Sequence, residues 1–395
     1  MPAKGTDPAA PTAGACTSIA DVVRPASAQP FPLPCASRPF RLAAPGLRRP
    51  AATTEGLRAM RLNSRPARAV TRAAALALAA SLSAAPAAAA DRLSVVLDWF
   101  VNPDHGPLIV AEARGYFADE GLEVEIIAPA DPADPPKMAA AGRADIAIGY
   151  QPQLHLQIHE ELPLIRVGTL VATPLNCLLV LEDGGAETIA DLKGKRIGYS
   201  VAGVEEALLS AVLTPAGLTL NDIELINVNW SLSPALMSGQ VDAVIGAFRN
   251  FELNQMEIEG RPGRCFFLEE HGLPPYDELI YLANPETMDP AVIARFLRAT
   301  ERATQYIVNH PQASWEIFAG TAPELRDELN EKAWFDTYPR FALRPAAFSA
   351  GRYAAFEAWL VSAGLVEAPL AVETLAVDVT AILAPAPAPA SAATE

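Results

Sequence analysis

The chain has 395 residues, 51% of them hydrophobic, with 36 Pro and a formal charge of −16; at about 150 residues per domain this allows two or three domains and a sizeable core. The charge is uneven, since residues 1–90 carry 11 Lys+Arg against 3 Asp+Glu and residues 91–395 carry 19 against 43. An acidic body without a basic stripe excludes nucleic acid as a partner, because phosphates must be met by clustered Lys and Arg, and it argues equally against docking on an anionic membrane surface.

From Met60 a basic stretch, MRLNSRPARAVTR, runs into AAALALAASLSAAPAAAA before Asp91. A basic start, an Ala/Leu run and a small-residue end are the pattern of a secretory signal over residues 60–90, cleaved after Ala90. Weakly apolar Ala and the interior Pro86 argue against a membrane anchor, so no membrane insertion is expected after cleavage and the mature protein is expected in the periplasm. Residues 1–59, rich in Pro, Ala and Arg, read as an upstream artefact before a true start at Met60, or as a disordered extension.

Beyond Asp91 short apolar runs alternate with helical stretches. Strands are expected at Leu93 to Leu97, Leu122 to Ile127 and Ile146 to Ile148, with helices at Pro107 to Arg114 and Pro136 to Ala141. A second series begins near Cys177: strand CLLVLED, a turn at Asp191 to Lys195, strand RIGYS, a helix over Glu205 to Leu213, strand IELINV, a helix around Ala235, and strand AVIGAF. After Cys265 to Leu268 the chain returns through ELIYLA and turns helical over Pro290 to Asn309, Gln312 to Ala319, Pro323 to Trp334 and Pro345 to Ala363, with apolar residues at spacings of three and four. Residues 385–395 are low-complexity and read as a disordered tail.

Such alternation predicts α/β units with parallel sheets. Residues 176–271 form a second lobe inserted into the first, which comprises residues 91–175 and 272–384, the latter with the C-terminal helices. The two crossings, near residues 172–178 and 268–280, make a hinge, and the facing lobes leave a cleft at the carboxyl ends of the strands. Cys177 and Cys265 lie in apolar runs and are read first as buried free thiols, with a disulfide open in an oxidising compartment. His155 and His159, four apart on a predicted helix with no third ligand in register, read as a helix surface rather than a metal site.

The segments LDWFVNPDHGPLIVAEARGYFADEGLEVEII, DLKGKRIGYSVAGVEEALL, SGQVDAVIGAFRNFELNQM and LPPYDELIYLAN together resemble the periplasmic binding proteins for thiamine pyrimidine precursors. Their superfamily also holds sulfonate, taurine and nitrate receptors and the fungal pyrimidine-precursor synthases. The resemblance covers residues 93 to about 335 and implies a type II, Venus-flytrap receptor without cofactor, metal or catalytic residue. Its partners would be an aminopyrimidine and an inner-membrane ABC permease with its ATPase.

Trp99 offers a flat face and Asn102 offers donors and acceptors, the combination an aminopyrimidine requires. By resemblance Tyr276 and Glu278 join them as a second face and a carboxylate for the ring's amino group. Ser200, Gly203 and Glu205 stand where a strand runs into a helix; Trp230 and Arg249 end the next two strands, and Tyr150 follows an earlier one. His105 is a candidate polar contact. In the synthases a histidine takes part in chemistry, but their Cys-rich motif has no counterpart here, which favours binding over turnover. The alternatives are a receptor for another solute, such as a sulfonate or a riboflavin precursor, and a synthase-like enzyme.

Overall fold

A computed structural model describes residues 89–382, apart from residue 185. The expected signal, the segment before it and the C-terminal tail lie outside the described residues, except for the last residues of the signal. In chain order the elements are β1 Asp91–Val96, α1 Gly106–Ala113, α2 Tyr116–Asp119, β2 Leu122–Ile127, α3 Pro135–Ala140, β3 Ile146–Gly149, α4 Gln151–His159 and β4 Ile165–Val171. Then follow β5 Asn176–Leu181, β6 Arg196–Tyr199, α5 Val204–Leu213, β7 Glu224–Asn227, α6 Leu232–Met237, β8 Ala243–Phe248, α7 Glu252–Ile258 and β9 Gly263–Phe267. The chain ends through β10 Leu279–Ala283, α8 Pro290–Asn309, α9 Pro311–Ala319, α10 Glu328–Thr337, α11 Ala350–Ser362, α12 Val372–Leu375 and α13 Val379–Ile382.

Two five-stranded sheets result, in the orders β2-β1-β3-β10-β4 and β7-β6-β8-β5-β9. The expectation of parallel sheets holds only in part. β1 runs parallel to β2 and β3, but β10 is antiparallel to β3 and β4. Lobe II repeats the plan, with β6 parallel to β7 and β8 and β5 antiparallel to β8 and β9. Each sheet thus contains a strand reached by a crossing between lobes rather than by a right-handed βαβ connection, and that strand is free to run the other way.

Alternation along the strands distributes side chains to both faces. Leu279, Tyr281 and Ala283 of β10 enter one core with Val95, Phe117 and Phe296, while Ile280 and Leu282 enter another with Leu154 and Tyr353. In β5, Leu178 and Val180 pack with Ile197, Leu208 and Ile245, while Cys177 and Leu179 pack with Leu236 and Met256. The long helix α8 starts at Asp289, whose side chain accepts from the Ala291 and Val292 amides ahead of Pro290, a strong N-cap. Its Ile293, Phe296, Leu297, Ala303 and Ile307 form the buried stripe. Helix α11 serves both lobes, Tyr353 packing with the lobe I core and Phe356 and Leu360 with that of lobe II.

Two expectations are corrected. Cys177 and Cys265 are joined in a disulfide between neighbouring strands, their Cα atoms 5.5 Å apart; apolar flanks did not distinguish a buried thiol from a buried bridge. His155 is fully buried rather than on a helix surface. Its Nδ1 lies 2.5 Å from Glu357 Oε1, and His159 Nε2 lies 3.0 Å from Glu357 Oε2, so both histidines of α4 hold α11. Among the described residues no group of three or more His, Cys, Asp or Glu side chains could hold a metal ion, and no helix is long and apolar enough to cross a membrane.

Candidate ligand-binding site

A cavity lies between the lobes where the carboxyl ends of β1, β3, β6 and β8 meet. The turn after β1 supplies Asp98, Trp99, Asn102 and Asp104, and Tyr150 follows β3. Lobe II supplies Ser200, Val201 and Glu205 after β6, and Gly246, Phe248, Phe251 and Glu252 from β8 onward; the crossings add Asn176 and Glu278. Five carboxyls line this space, and among the described residues no Lys or Arg does.

Hydrogen bonds hold these carboxyls in place. Asp98 accepts from Tyr150 Oη at 3.0 Å on Oδ2, and its Oδ1 lies 2.9 Å from His105 Nε2. Because His105 Nδ1 accepts from the Asn102 amide at 3.3 Å, the proton sits on Nε2 and is donated to Asp98. Glu278 Oε2 accepts from the Leu175 and Asn176 amides at 2.5 and 2.9 Å. Glu252 Oε2 accepts from the Phe248 amide at 2.7 Å. Glu205 Oε2 takes the Ser200 and Val201 amides at 2.6 and 3.1 Å, so the amides of the turn that leads from β6 into α5 are occupied by the protein's own carboxyl.

Burial dominates the electrostatics. It pushes the Glu205 carboxyl up to about 8 against the pull of the Ser200 and Val201 amides, and the Glu252 and Glu278 carboxyls up to about 7. Asp104 is pushed up to about 6 by burial, with the nearby Asp98 adding to it and His105, Asn250 and Thr337 opposing it. Tyr150 is raised well above the usual phenol range by burial and by the Asp98 and Glu205 charges. Near neutral pH such a wall offers both carboxylate acceptors and carboxylic acid donors.

Of the residues singled out from sequence, Trp99, Asn102, Tyr150, Ser200, Glu205 and Glu278 line the cavity. Asn102 is also a cap, its Oδ1 accepting from the Asp104 amide at 2.8 Å. The other five stand outside the cavity wall. His105 is wholly buried behind Asp98, and Tyr276 is wholly buried in the lobe II core beside Phe356. Gly203, exposed, gives its amide to Glu206. Arg249 pairs with Glu269 at 2.7 and 3.0 Å, donates to the Leu175 and Asn176 carbonyls and stacks 4.0 Å from the Phe267 ring. Trp230 packs edge-on to Trp99 at 4.5 Å between centroids, so the two tryptophans meet across the cleft.

Sequence reasoning did not single out Asp104, Gly246 or Glu252. Gly246 interrupts the apolar run AVIGAF with φ of +93°, and a Cβ there would collide with Glu205 Oε1. A glycine inside a strand pattern signals such a close approach. It is the absent side chain that lets the Glu205 carboxyl reach the cavity.

The model of the NMT1/THI5-like family matches residues 102–314. The chain is 50% identical over 295 residues to a Haemophilus influenzae protein named for thiamine biosynthesis, spanning 74% of this chain and 94% of the relative. It is 32% identical over 243 residues to the formylaminopyrimidine-binding protein of Halalkalibacterium halodurans, 61% and 74% of the two chains. A 4-amino-5-hydroxymethyl-2-methylpyrimidine phosphate synthase of Uromyces fabae is 30% identical over 257 residues, 61% and 74% of the two chains. Among solved structures, the alkanesulfonate-binding protein of Xanthomonas axonopodis pv. citri aligns with a TM-score of 0.57 at 18% identity, covering 74% of this chain and 99% of that one, a likeness of fold. The two-lobed architecture is that of the periplasmic binding proteins, and the chain belongs to the NMT1/THI5-like family.

Proposed function

We propose that this chain is the solute-binding receptor of an ATP-driven importer, holding an aminopyrimidine precursor of thiamine between its lobes and delivering it to an inner-membrane permease. The observation that carries this reading is the cavity wall, with aromatic faces, five carboxyls and, among the described residues, no Lys or Arg. A sulfonate or phosphate entering it would meet like charge and no cation. An aminopyrimidine offers a flat ring to the aromatics, N–H donors to carboxylates and ring nitrogens to carboxylic acids. The formylaminopyrimidine-binding relative supports the ligand class, and the signal-like segment 60–90 supports a periplasmic location.

The synthase relatives favour a second reading, an enzyme that forms the pyrimidine. Against it, both ring nitrogens of His105 are engaged, by Asp98 and by the Asn102 amide, and the ring is wholly buried outside the cavity wall. Calorimetry of the mature chain against 4-amino-5-hydroxymethyl-2-methylpyrimidine, its formylaminomethyl relative, thiamine, riboflavin and taurine separates these readings. Binding of the pyrimidines, with the ligand recovered unchanged, is the expected result; binding of taurine alone overturns the ligand assignment, and chemical conversion overturns the receptor. Trp99→Ala is expected to weaken pyrimidine binding by about 1.5 kcal/mol, roughly tenfold.

A further inference from the structure

The cavity has a volume of about 40 Å³ and lies between the lobes. The contacts between lobes decide how readily the cleft opens and shuts. At one of these contacts Asn250, in the lobe II turn between β8 and α7, is 2% exposed. Its Nδ2 donates to Asp104 Oδ1 at 2.7 Å and to Thr337 Oγ1 at 2.6 Å. Asp104 follows β1 and Thr337 ends α10, so both partners belong to lobe I. Thr337 Oγ1 also lies 3.0 Å from the same Asp104 oxygen and 2.7 Å from the Ala333 carbonyl. At the rim Asn254 repeats the bridge, its Nδ2 donating to Asp336 Oδ2 at 2.8 Å.

We propose that Asn250 is the positioning residue through which an occupied cavity is converted into closed lobes, because its amide holds across the cleft the same carboxyl, Asp104, that lines the cavity. Both protein bonds to Asp104 fall on Oδ1, and among the described residues no hydrogen bond reaches Oδ2. A ligand donor on Oδ2 would hold the Asp104 carboxyl in place for the Asn250 amide on Oδ1, and hydrogen bonds joined in one network strengthen one another. Coupling of this kind is reciprocal: what the ligand adds to closure, closure adds to ligand affinity.

The orientation of the Asn250 amide is fixed, since turning it would set Oδ1 against the carboxylate. Oδ1 is buried without a hydrogen bond, which costs stability in the closed form. The junction therefore holds the lobes together while opposing part of its own closure, and the ligand tips the balance. The inference rests on the two-lobed binding fold and not on the identity of the ligand.

The test uses the full mature chain with Asn250→Ala, Thr337→Val and the double variant, none of which alters the cavity lining. Affinity and dissociation rate are measured for 4-amino-5-hydroxymethyl-2-methylpyrimidine, and the radius of gyration is measured by X-ray scattering with and without it. Asn250→Ala is expected to weaken affinity by about 10- to 100-fold, mostly through faster dissociation, as befits a lost hydrogen bond to a charged acceptor. It is also expected to enlarge the chain measured without added ligand, with a melting temperature close to the parent's, and the double variant is expected to fall short of the sum of the single effects. An affinity within twofold of the parent together with an unchanged radius overturns the proposal. Thr337→Val carries the same test should Asn250→Ala fail to fold. If the parent does not bind the pyrimidine, the ligand assignment fails by itself, and the scattering comparison without ligand still decides the role of Asn250.

Discussion

Glu205 shows how one carboxyl sets the character of the cavity. It is buried, held by two amides on one oxygen, and admitted by the missing side chain of Gly246. Its pKa rises from 4.5 in the unfolded chain to about 8 in the fold, and those of Glu252 and Glu278 rise to about 7. Between these values the native state keeps protons that the unfolded chain has released, so stability falls as pH rises from about 5 to 8, by up to about 1.4 kcal/mol per pH unit for a group between its unfolded and folded pKa values. Glu205→Gln keeps an acceptor for the Ser200 and Val201 amides and removes the titration. Urea unfolding is expected to show the variant gaining on the parent at pH 8 and not at pH 5; parallel pH profiles for the two proteins contradict this. Of the acidic residues in the cavity wall, Glu205 and Glu278 were legible in the sequence. Asp104 and Glu252 were not, because a strand pattern locates the end of the strand while the turn after it decides which side chain points inward. The same ambiguity explains why Tyr276, two residues before Glu278, turns into the lobe II core instead.

The elements were more legible than the side chains. Helix α8 matches its expected span, Pro290 to Asn309, because an N-cap, a proline and a continuous apolar stripe agree along it. What a local pattern does not carry is the partner of each face. Helix α11 carries Phe356 and Leu360 to one lobe, Tyr353 to the other and Glu357 to both histidines of α4. His155 is held in its neutral form by burial; it donates from Nδ1 to Glu357 and accepts at Nε2 from Gln151. Glu357 also accepts from the Leu370 amide at 2.8 Å. Glu357→Ala therefore strands the buried His155 donor and the part-buried His159 and Leu370 donors and is expected to cost about 2–4 kcal/mol of stability, measured by denaturant unfolding. A loss below about 0.5 kcal/mol would show that the cluster is incidental.

For the whole molecule, the two sheets share one strand order, yet they are completed by different stretches of chain. Lobe II draws all its strands from the continuous segment Asn176–Phe267, whereas β10, which begins at Leu279, must pass between β3 and β4 before lobe I is whole. Until then β4, at the edge of the sheet, has no neighbouring strand. Arg166 within it waits longer still, since the Nη1 and Nη2 groups of its buried guanidinium donate to the carbonyls of Pro345, Ala346 and Ala347. Strand order therefore sets a timetable of assembly, in which the inserted lobe can form early and the enclosing lobe only near the end, because distant pairings must first close long loops. Pulse-labelled hydrogen exchange during refolding is expected to protect the amides of β6 and β8 before those of β4 and β10, and the reverse order refutes the timetable. A chain emerging from a ribosome or a membrane pore meets the same schedule: the lobe that contributes Trp99 and Asp98 to the cleft cannot be finished until residues well beyond the other lobe have been delivered.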